Sequence, residues 1–366
     1  MNTRKNQRET KGTRAVTLKA VAAHVGLTAG TVSAVLNNSP ACRSVPQHTK
    51  NRILAAAREL NYRPNFMARA LRVKRTYTIG VIAAEIGDSY GSVVISGVEK
   101  FLREQGFFYL TVAHRHDIKL LETYSQLLLE RGIEGFITID TSIAQQLPLP
   151  TVALAGHRSV EGVTNIVLDH RRAAQLALEH LVKLGHEEIA FMKGPAVSSD
   201  AEARWSSICD AARELGISVR PELTLQLGGE AASDPMSGSP YVRELLSRKQ
   251  QFTALFAYND NSAIAAIRVM QDAGLQVPSD ISVVGFDDIQ AAAYTNPSLT
   301  TVRQPLRKMG EIAASTLLDR IEERGEYCPE IAVEPEFVIR QSTARVSATA
   351  SREIKISSRL ASSPTH

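Results

Sequence analysis

Apolar residues recur along this chain with two different periods, and the period changes near residue 76. Within residues 17–25, Leu18, Val21, Ala22 and Val25 fall on one face at helical spacing, with Thr17 placed as an N-cap. Gly26 and Leu27 interrupt that helix. Thr28 caps a second one, whose apolar stripe is Val32, Val35 and Leu36. A third helix is predicted from about Pro46 to Leu60, with proline in its first turn and Ile53, Leu54, Ala57 and Leu60 facing inward. Two short helices joined by a three- or four-residue turn containing glycine make a helix-turn-helix, a pattern shared with generic three-helix bundles.

Beyond residue 76, short apolar runs rich in β-formers recur at 77–84, 107–113, 135–139, 151–154, 189–192, 224–227, 254–258 and 281–286. Amphipathic stretches lie between many of them, at 97–105, 173–184, 211–215, 241–246 and 262–273. This alternation predicts parallel sheets covered by helices on both faces, and continuous apolar strands are what such sheets require. Roughly 270 residues exceed one comfortable sheet, so the fold class expected is an α/β body of two doubly wound parallel-sheet subdomains, with a small all-α head.

Charge sharpens the division. The chain of 366 residues has a net charge of only +4. Residues 1–75, however, hold 15 Lys and Arg against two acids, Glu9 and Glu59, a balance of +13. The remainder holds 27 bases against 36 acids, a balance of −9. A basic head on an acidic body points to a polyanionic partner; a solvated basic tail is the bland alternative. No run of 18 apolar residues predicts a membrane-spanning helix, and the polar, basic first 16 residues do not read as a secretory signal, so a cytoplasmic protein is expected. The three cysteines, Cys42, Cys209 and Cys328, are too scattered for a disulfide framework or zinc site. His114 and His116 are two residues apart with no third ligand in view, and neither a metal nor a cofactor is expected.

The run VTLKAVAAHVGLTAGTVSAVLN at 16–37 and the run AARELNYRPN at 56–65 resemble the opening of the LacI/GalR family of bacterial transcription regulators. The specific parts are Thr31-Val32-Ser33 with Asn37, and Leu60-Asn61-Tyr62 followed by Pro64-Asn65. The resemblance continues to about residue 345. It implies a DNA-contacting set of Thr17, Thr28, Ala29, Gly30, Thr31, Ser33, Ala34, Asn37, Tyr62, Asn65, Arg69 and Leu71. In this set Leu71 is an apolar wedge that enters the minor groove when two hinge helices fold together on DNA, and Arg69, Arg72, Lys74 and Arg75 neutralise phosphates. Three departures stand out. Residues 38–45 lengthen the link to the third helix. Ala29 and Gly30 occupy positions that commonly read bases, and Ala34 replaces a frequent Arg or His. Readout should therefore lean on thymine methyls and DNA deformability.

Further landmarks match the family's effector-binding body, which is similar to periplasmic sugar-binding proteins. They are IGVI at 79–82, LVKLGHEEIAF at 181–191, Gly194-Pro195, ISVVGFDD at 281–288 and PSLTTVRQP at 297–305. By position the resemblance implies an effector site of Tyr90, Arg204, Asn259 and Asp287, with Asp88, Asp200 and Trp205 as weaker members. Carboxylate, guanidinium and amide can share hydrogen bonds with adjacent hydroxyls, and aromatic rings can cover a sugar's apolar face, so a carbohydrate is the effector expected. The plainer readings are a loop cap for Asp287, a fixed ion pair for Arg204 and core packing for Trp205.

The expected organisation is a disordered basic arm over 1–15, a helix-turn-helix domain over 16–63, a hinge helix over 64–75 and a flexible tail over 346–366. The two-lobed body occupies 76–345, with one lobe at about 76–168 and 305–333 and the other at about 169–303 and 334–345. No G-x-S-x-G, P-loop, H-E-x-x-H or dinucleotide fingerprint suggests an enzyme. A solute-binding protein would have no need of the basic head, and a purely architectural DNA binder would have no need of the body. The expectation is a DNA-binding repressor acting as a homodimer, with a tetramer also open, on a pseudo-palindromic double-stranded operator.

Overall fold

The apolar runs of the body assemble into two six-stranded sheets. The computed structural model describes residues 16–63, 70–71, 73–87, 89–156, 158–198, 200–228 and 238–346, and it separates into two units, Met1–Thr76 and Tyr77–His366. The first lobe of the body holds β1 (Thr78–Ala83), β2 (Phe108–Ala113), β3 (Phe136–Ile139), β4 (Thr151–Leu154), β5 (Val163–Leu168) and β11 (Glu330–Val333) in the order β11-β5-β4-β3-β1-β2, all parallel. The second holds β6 (Ile189–Lys193), β7 (Thr224–Gln226), β8 (Ala254–Phe256), β9 (Ser282–Asp287), β10 (Thr300–Arg303) and β12 (Glu336–Val338) in the order β12-β10-β9-β8-β6-β7. β12 pairs antiparallel to β10, an edge exception within an otherwise parallel sheet.

Strands β1, β3, β4, β5 and β9 are buried along their whole length, because helices cover both faces of each sheet. In the first lobe, α4 (Ser89–Glu104) and α10 (Leu306–Ile321) pack on one face around Val94, Val98, Met309 and Leu317. Their approach is close: a Cβ on Gly97 would run into the Arg307 carbonyl, and one on Gly310 into the Val94 carbonyl. On the opposite face α5 (Ile118–Glu130) buries Leu121 and Leu128 against Ile82 and Phe136. In the second lobe, α6 (His170–Lys183) and α7 (Ala201–Glu214) cover one face, while α8 (Ser239–Ser247) and α9 (Asp260–Asp272) cover the other. The helix expected at 97–105 begins eight residues earlier, and that expected at 211–215 is the last turn of α7.

The chain passes from one sheet to the other after β5, after β10 and after β11. Asp169 marks the first passage. Its side chain caps α6 by accepting from the Arg172 N–H at 2.8 Å, while its own N–H donates to the Val333 carbonyl beside the third.

In the head, α1 (Leu18–Val25) and α2 (Ala29–Leu36) meet at 109°. Gly26 ends α1 in the left-handed region (φ 66°), which a side chain rarely adopts, and the Thr28 hydroxyl accepts from the Thr31 N–H at 3.1 Å to start α2. The third helix, α3 (Gln47–Glu59), begins after Pro46 rather than at it. Its inner face is Ile53, Ala56 and Ala57. Leu54, expected inside, is 39% exposed, because the contact with α1 and α2 lies along the 53-56-57-60 line. No single helix among the described residues is long and apolar enough to cross a membrane.

Candidate functional site

The head presents the N-terminus of α2. Thr28 and Gly30 are exposed there, and Ala29, Thr31 and Ser33 are half-buried. Thr28 and Thr31 share a hydroxyl contact at 2.9 Å, and Thr17 caps α1 by accepting from the Ala20 N–H at 3.3 Å. Asn37 is turned back on its own helix, donating to the Ser33 carbonyl at 2.8 Å. Ala34 departs from the expected surface. The residues that lengthen the link, seen as a 3-10 turn over Pro40–Ser44, fold against α2; the Ser39 N–H donates to the Ala34 carbonyl, and Ala34 is left only 8% exposed. At that exposure its methyl is largely covered and offers little surface to a base. Tyr62 is half-buried against the head's core. Leu71 is helical and 80% exposed, an unusual position for leucine. Asn65 and Arg69 lie outside the described residues.

In the body, the loops that follow the strands' C-terminal ends converge on a cavity of about 50 Å³. Tyr90 and Asp140 line it from the first lobe. Ser198, Asp200, Arg204, Tyr258, Asn259 and Asp287 line it from the second. Asp140 follows β3, Ser198 follows β6, Tyr258 and Asn259 follow β8, and Asp287 ends β9. Tyr258 lies against Gly194, where any Cβ would collide with its ring, which accounts for the Gly-Pro step after β6.

Arg204 organises the second-lobe wall. It is 4% exposed; its guanidinium lies 3.8 Å from the Phe286 ring centroid and 4.7 Å from that of Tyr258. One Nη donates to the Tyr258 carbonyl at 2.6 Å and the other to Asp200, while Asp287 stands 4.0 Å away. Burial alone would lower its pKa, but Asp200 and Asp287 raise it above its already high value. Asp200 also pairs with His170 Nε2 at 2.8 Å. Asp287 takes a φ of 112° and accepts from Gln304 Nε2 at 2.6 Å, which ties the site to the second passage between lobes. Its neighbour Asp288 instead holds Arg303 and Arg340, each at 2.6 Å. Fully buried Asp260 braces this wall. It accepts from the Thr301 hydroxyl at 2.6 Å and the Ile289 N–H at 2.8 Å, and burial pushes its carboxyl well above the usual range.

A hydrogen-bond chain crosses the cleft. The Tyr258 hydroxyl donates to Ser198 Oγ at 3.1 Å, and Ser198 Oγ donates to Asp140 Oδ1 at 3.1 Å. The Tyr90 hydroxyl is held well above its ordinary pKa, first by burial and then by Asp200, Asp140 and Asp287. Asn259 lines the cavity while its side chain caps α9, accepting from the Ser262 N–H at 2.9 Å.

Of the residues expected at the site, Tyr90, Arg204, Asn259, Asp287 and Asp200 are thus brought together. Trp205 is not among them: it packs on the core, edge-on to Phe191 at 6.1 Å, with the Lys193 ammonium 5.8 Å from its ring. Asp88 lies outside the described residues. Asp140, Ser198 and Tyr258 were missed. Their only sequence signal is that each follows a strand, and that signal becomes specific once the strand order is known. Among the described residues no group of three His, Cys, Asp or Glu is placed to hold a metal.

A helix-turn-helix head joined to a two-lobed, ligand-cleft body defines a class: DNA-binding regulators that sense a small molecule. Residues 17–65 match the model of the bacterial regulatory proteins of the lacI family, and residues 178–343 match that of the periplasmic binding protein-like domain. The chain is 31% identical over 335 residues to the HTH-type transcriptional repressor PurR of Photorhabdus laumondii, covering 89% of this chain and 96% of that protein. It is 32% identical to the PurR of Yersinia pestis, covering 90% and 97%. Among solved structures, a lac repressor dimer bound to operator and an anti-inducer superposes with a TM-score of 0.81 at 26% identity, covering 90% of this chain and all of that one. The regulator CelR in complex with cellobiose gives 0.66 at 27%, covering 89% and 99%. The chain belongs to the lacI family of bacterial regulatory proteins. It is a DNA-binding transcriptional regulator with an effector-binding domain, not an enzyme, and regulators of this kind are soluble cytoplasmic proteins.

Proposed function

We propose that this regulator is a homodimeric repressor that binds a pseudo-palindromic operator and is controlled by a carbohydrate held in the interlobe cavity. The observation that carries the reading is the lining of the cavity: carboxylates, one guanidinium, an amide and two tyrosines, contributed by both lobes. Hydroxyl groups both donate and accept, so they match a wall that mixes carboxylates with Arg204. A family relative of 29% identity was crystallised with ribose, and CelR with cellobiose.

Two heads are needed because one small module buries too little surface for tight, specific binding. Residues 64–75 form the hinge, the paired hinges fold on DNA, and exposed Leu71 enters the minor groove as a wedge. Thr17, Thr28, Ala29, Gly30, Thr31, Ser33, Tyr62, Asn65 and Arg69 supply the remaining contacts, and the bound protein is associated with the nucleoid. Occupancy of the cleft breaks or replaces the Ser198–Asp140 contact and biases the hinge equilibrium, with a coupling of about 1–3 kcal/mol. The test is operator binding by the full chain, followed by fluorescence anisotropy, across a monosaccharide and disaccharide panel. A sugar that shifts operator affinity by roughly 5–150-fold supports the reading. A panel that shifts nothing, while a non-carbohydrate metabolite does, removes the carbohydrate.

A further inference from the structure

Tyr258 is the bulkiest side chain that the second lobe contributes to the cleft, and it is fixed on several sides. It follows β8 and is only 8% exposed. One edge of its ring lies against Gly194, where an added Cβ would collide with it. The Arg204 guanidinium sits 4.7 Å from the ring centroid and donates at 2.6 Å to the Tyr258 carbonyl, so one cation holds both the ring and the backbone of this residue. The phenol hydroxyl donates to Ser198 Oγ at 3.1 Å, and burial raises its pKa, which keeps that proton in place. The ring also belongs to the apolar core that contains Met192, Ala201 and Leu227. Swinging it away for a ligand would break the Ser198 hydrogen bond and the cation–π contact and uncover part of that core.

The opposite wall is free to travel. Tyr90 and Asp140 belong to the first lobe, and Asp140 meets the second through Ser198 Oγ at 3.1 Å. Parting the lobes moves these two residues and enlarges a cavity that now has about 50 Å³, room for a few water molecules. The end of the site formed by Tyr258 stays where it is. The cleft thus gains width when the hinge opens, but no depth on the second-lobe side.

We propose that Tyr258 is the specificity-determining residue of the cleft: its ring closes the second-lobe end of the site and limits the effector to a compound of one sugar ring. This rests on the reading of the cavity as a carbohydrate site and sets the size of carbohydrate that it takes. The second ring of a disaccharide would have to occupy the volume that the phenol fills, and a shorter side chain would open the site towards the apolar core behind it.

The experiment titrates the full chain by calorimetry with ribose, glucose, galactose and mannose and with maltose, cellobiose and lactose. The series is repeated in Tyr258→Leu, Tyr258→Ala and Tyr258→Phe, with a thermal melt of each; leucine keeps apolar packing on Gly194 and guards against loss of the fold. The wild-type chain should bind one of the single-ring sugars roughly tenfold or more tighter than any two-ring sugar. The leucine and alanine variants should bring that ratio to within about threefold, whereas phenylalanine, which keeps the ring, should preserve it. A merely structural role would weaken all sugars in parallel and leave the ratio as it was. A disaccharide bound by the wild type as tightly as the best monosaccharide would overturn the size limit while leaving the carbohydrate-controlled regulator standing. So would a ratio unchanged in the leucine and alanine variants, or one lost in the phenylalanine variant. Failure of every sugar to bind the wild type and the variants would count against both.

Discussion

Asp287 separates charge from shape more cleanly than any other residue in the cleft. It is buried, accepts from Gln304 Nε2 at 2.6 Å and has a φ of 112°, a region asparagine tolerates better than most residues. Asp287→Asn keeps the acceptor for Gln304 and removes the charge; Asp287→Ala removes both. A hydrogen bond to a charged group contributes about 1.5–3 kcal/mol. Losing one such bond to the effector should weaken its binding by roughly 10–150-fold in the asparagine variant. Losing a bidentate pair should weaken it by about 10²–10⁴-fold in the alanine variant. Alanine should also lower the melting temperature by several degrees, since the Gln304 bond is lost, at about 2–4 °C per kcal/mol for a body of this size. Asparagine should leave the melting temperature nearly unchanged. Operator affinity without effector should hold within about threefold in both, because the reading surface is in the head. The assay pairs effector titration with operator anisotropy and a thermal melt. A normal effector response in Asp287→Ala would refute the placement of this carboxylate at the ligand.

Other perturbations reach different parts of the account. Leu71→Ala should weaken operator binding by about 1.5–3 kcal/mol per copy, the worth of a buried leucine side chain, and reduce DNA bending in a gel-phasing assay; unchanged bending would remove the wedge. Gly30→Ala should stabilise the head by about 0.5–1 kcal/mol, read as slower amide exchange in the α2 helix, because the added methyl meets only ordinary contact with Thr28. His114 is buried, its Nε2 meets the Thr141 hydroxyl at 3.0 Å, and burial followed by His116 lowers its pKa from 6.5 to about 4. The folded state therefore binds fewer protons than the unfolded one between those values. The contribution is fully present above pH 6.5 and is lost as pH falls towards 4, by up to about 3 kcal/mol in all. His114→Gln should flatten that part of the stability–pH curve, and an unaltered slope would assign it elsewhere.

The parts of this molecule that were legible in the sequence are those where one local rule dominates. The head's helices follow from Thr17 and Thr28 as caps, Gly26 as a break and the 3.6-residue stripe of Val21, Val25, Val32 and Val35. Most of the long buried strands announce themselves as apolar runs; β5 and β10 do not, because Thr164 and Asn165 interrupt the first and Thr300, Thr301 and Arg303 make up most of the second. What was not legible depends on partners far away in the chain. Leu54 and Ala34 have the composition of one surface and sit on another, because the crossing of three helices and the turn at Pro40–Ser44 decide which side is covered. The edge strands β11 and β12 are short and half-exposed and carry no run long enough to detect. The helices α5 and α10 also went unmarked. In the cleft, Arg204 and Asp287 came with recognisable neighbours. Asp140, Ser198 and Tyr258 are joined only by the parallel strand order, which brings the ends of β3, β6 and β8 to one place, so no spacing along the chain could reveal them.

The central claim is that one chain couples a sequence-specific head to a ligand cleft. Selection from randomised duplex DNA with the purified full-length protein, at stated salt because phosphate contacts make affinity strongly salt-dependent, tests it most directly. The account predicts enrichment of a two-fold-symmetric site that is lost when residues 1–75 are deleted and whose occupancy then reports the effector. Binding that stays weak and uniform across sequences, with and without candidate effectors, would contradict it.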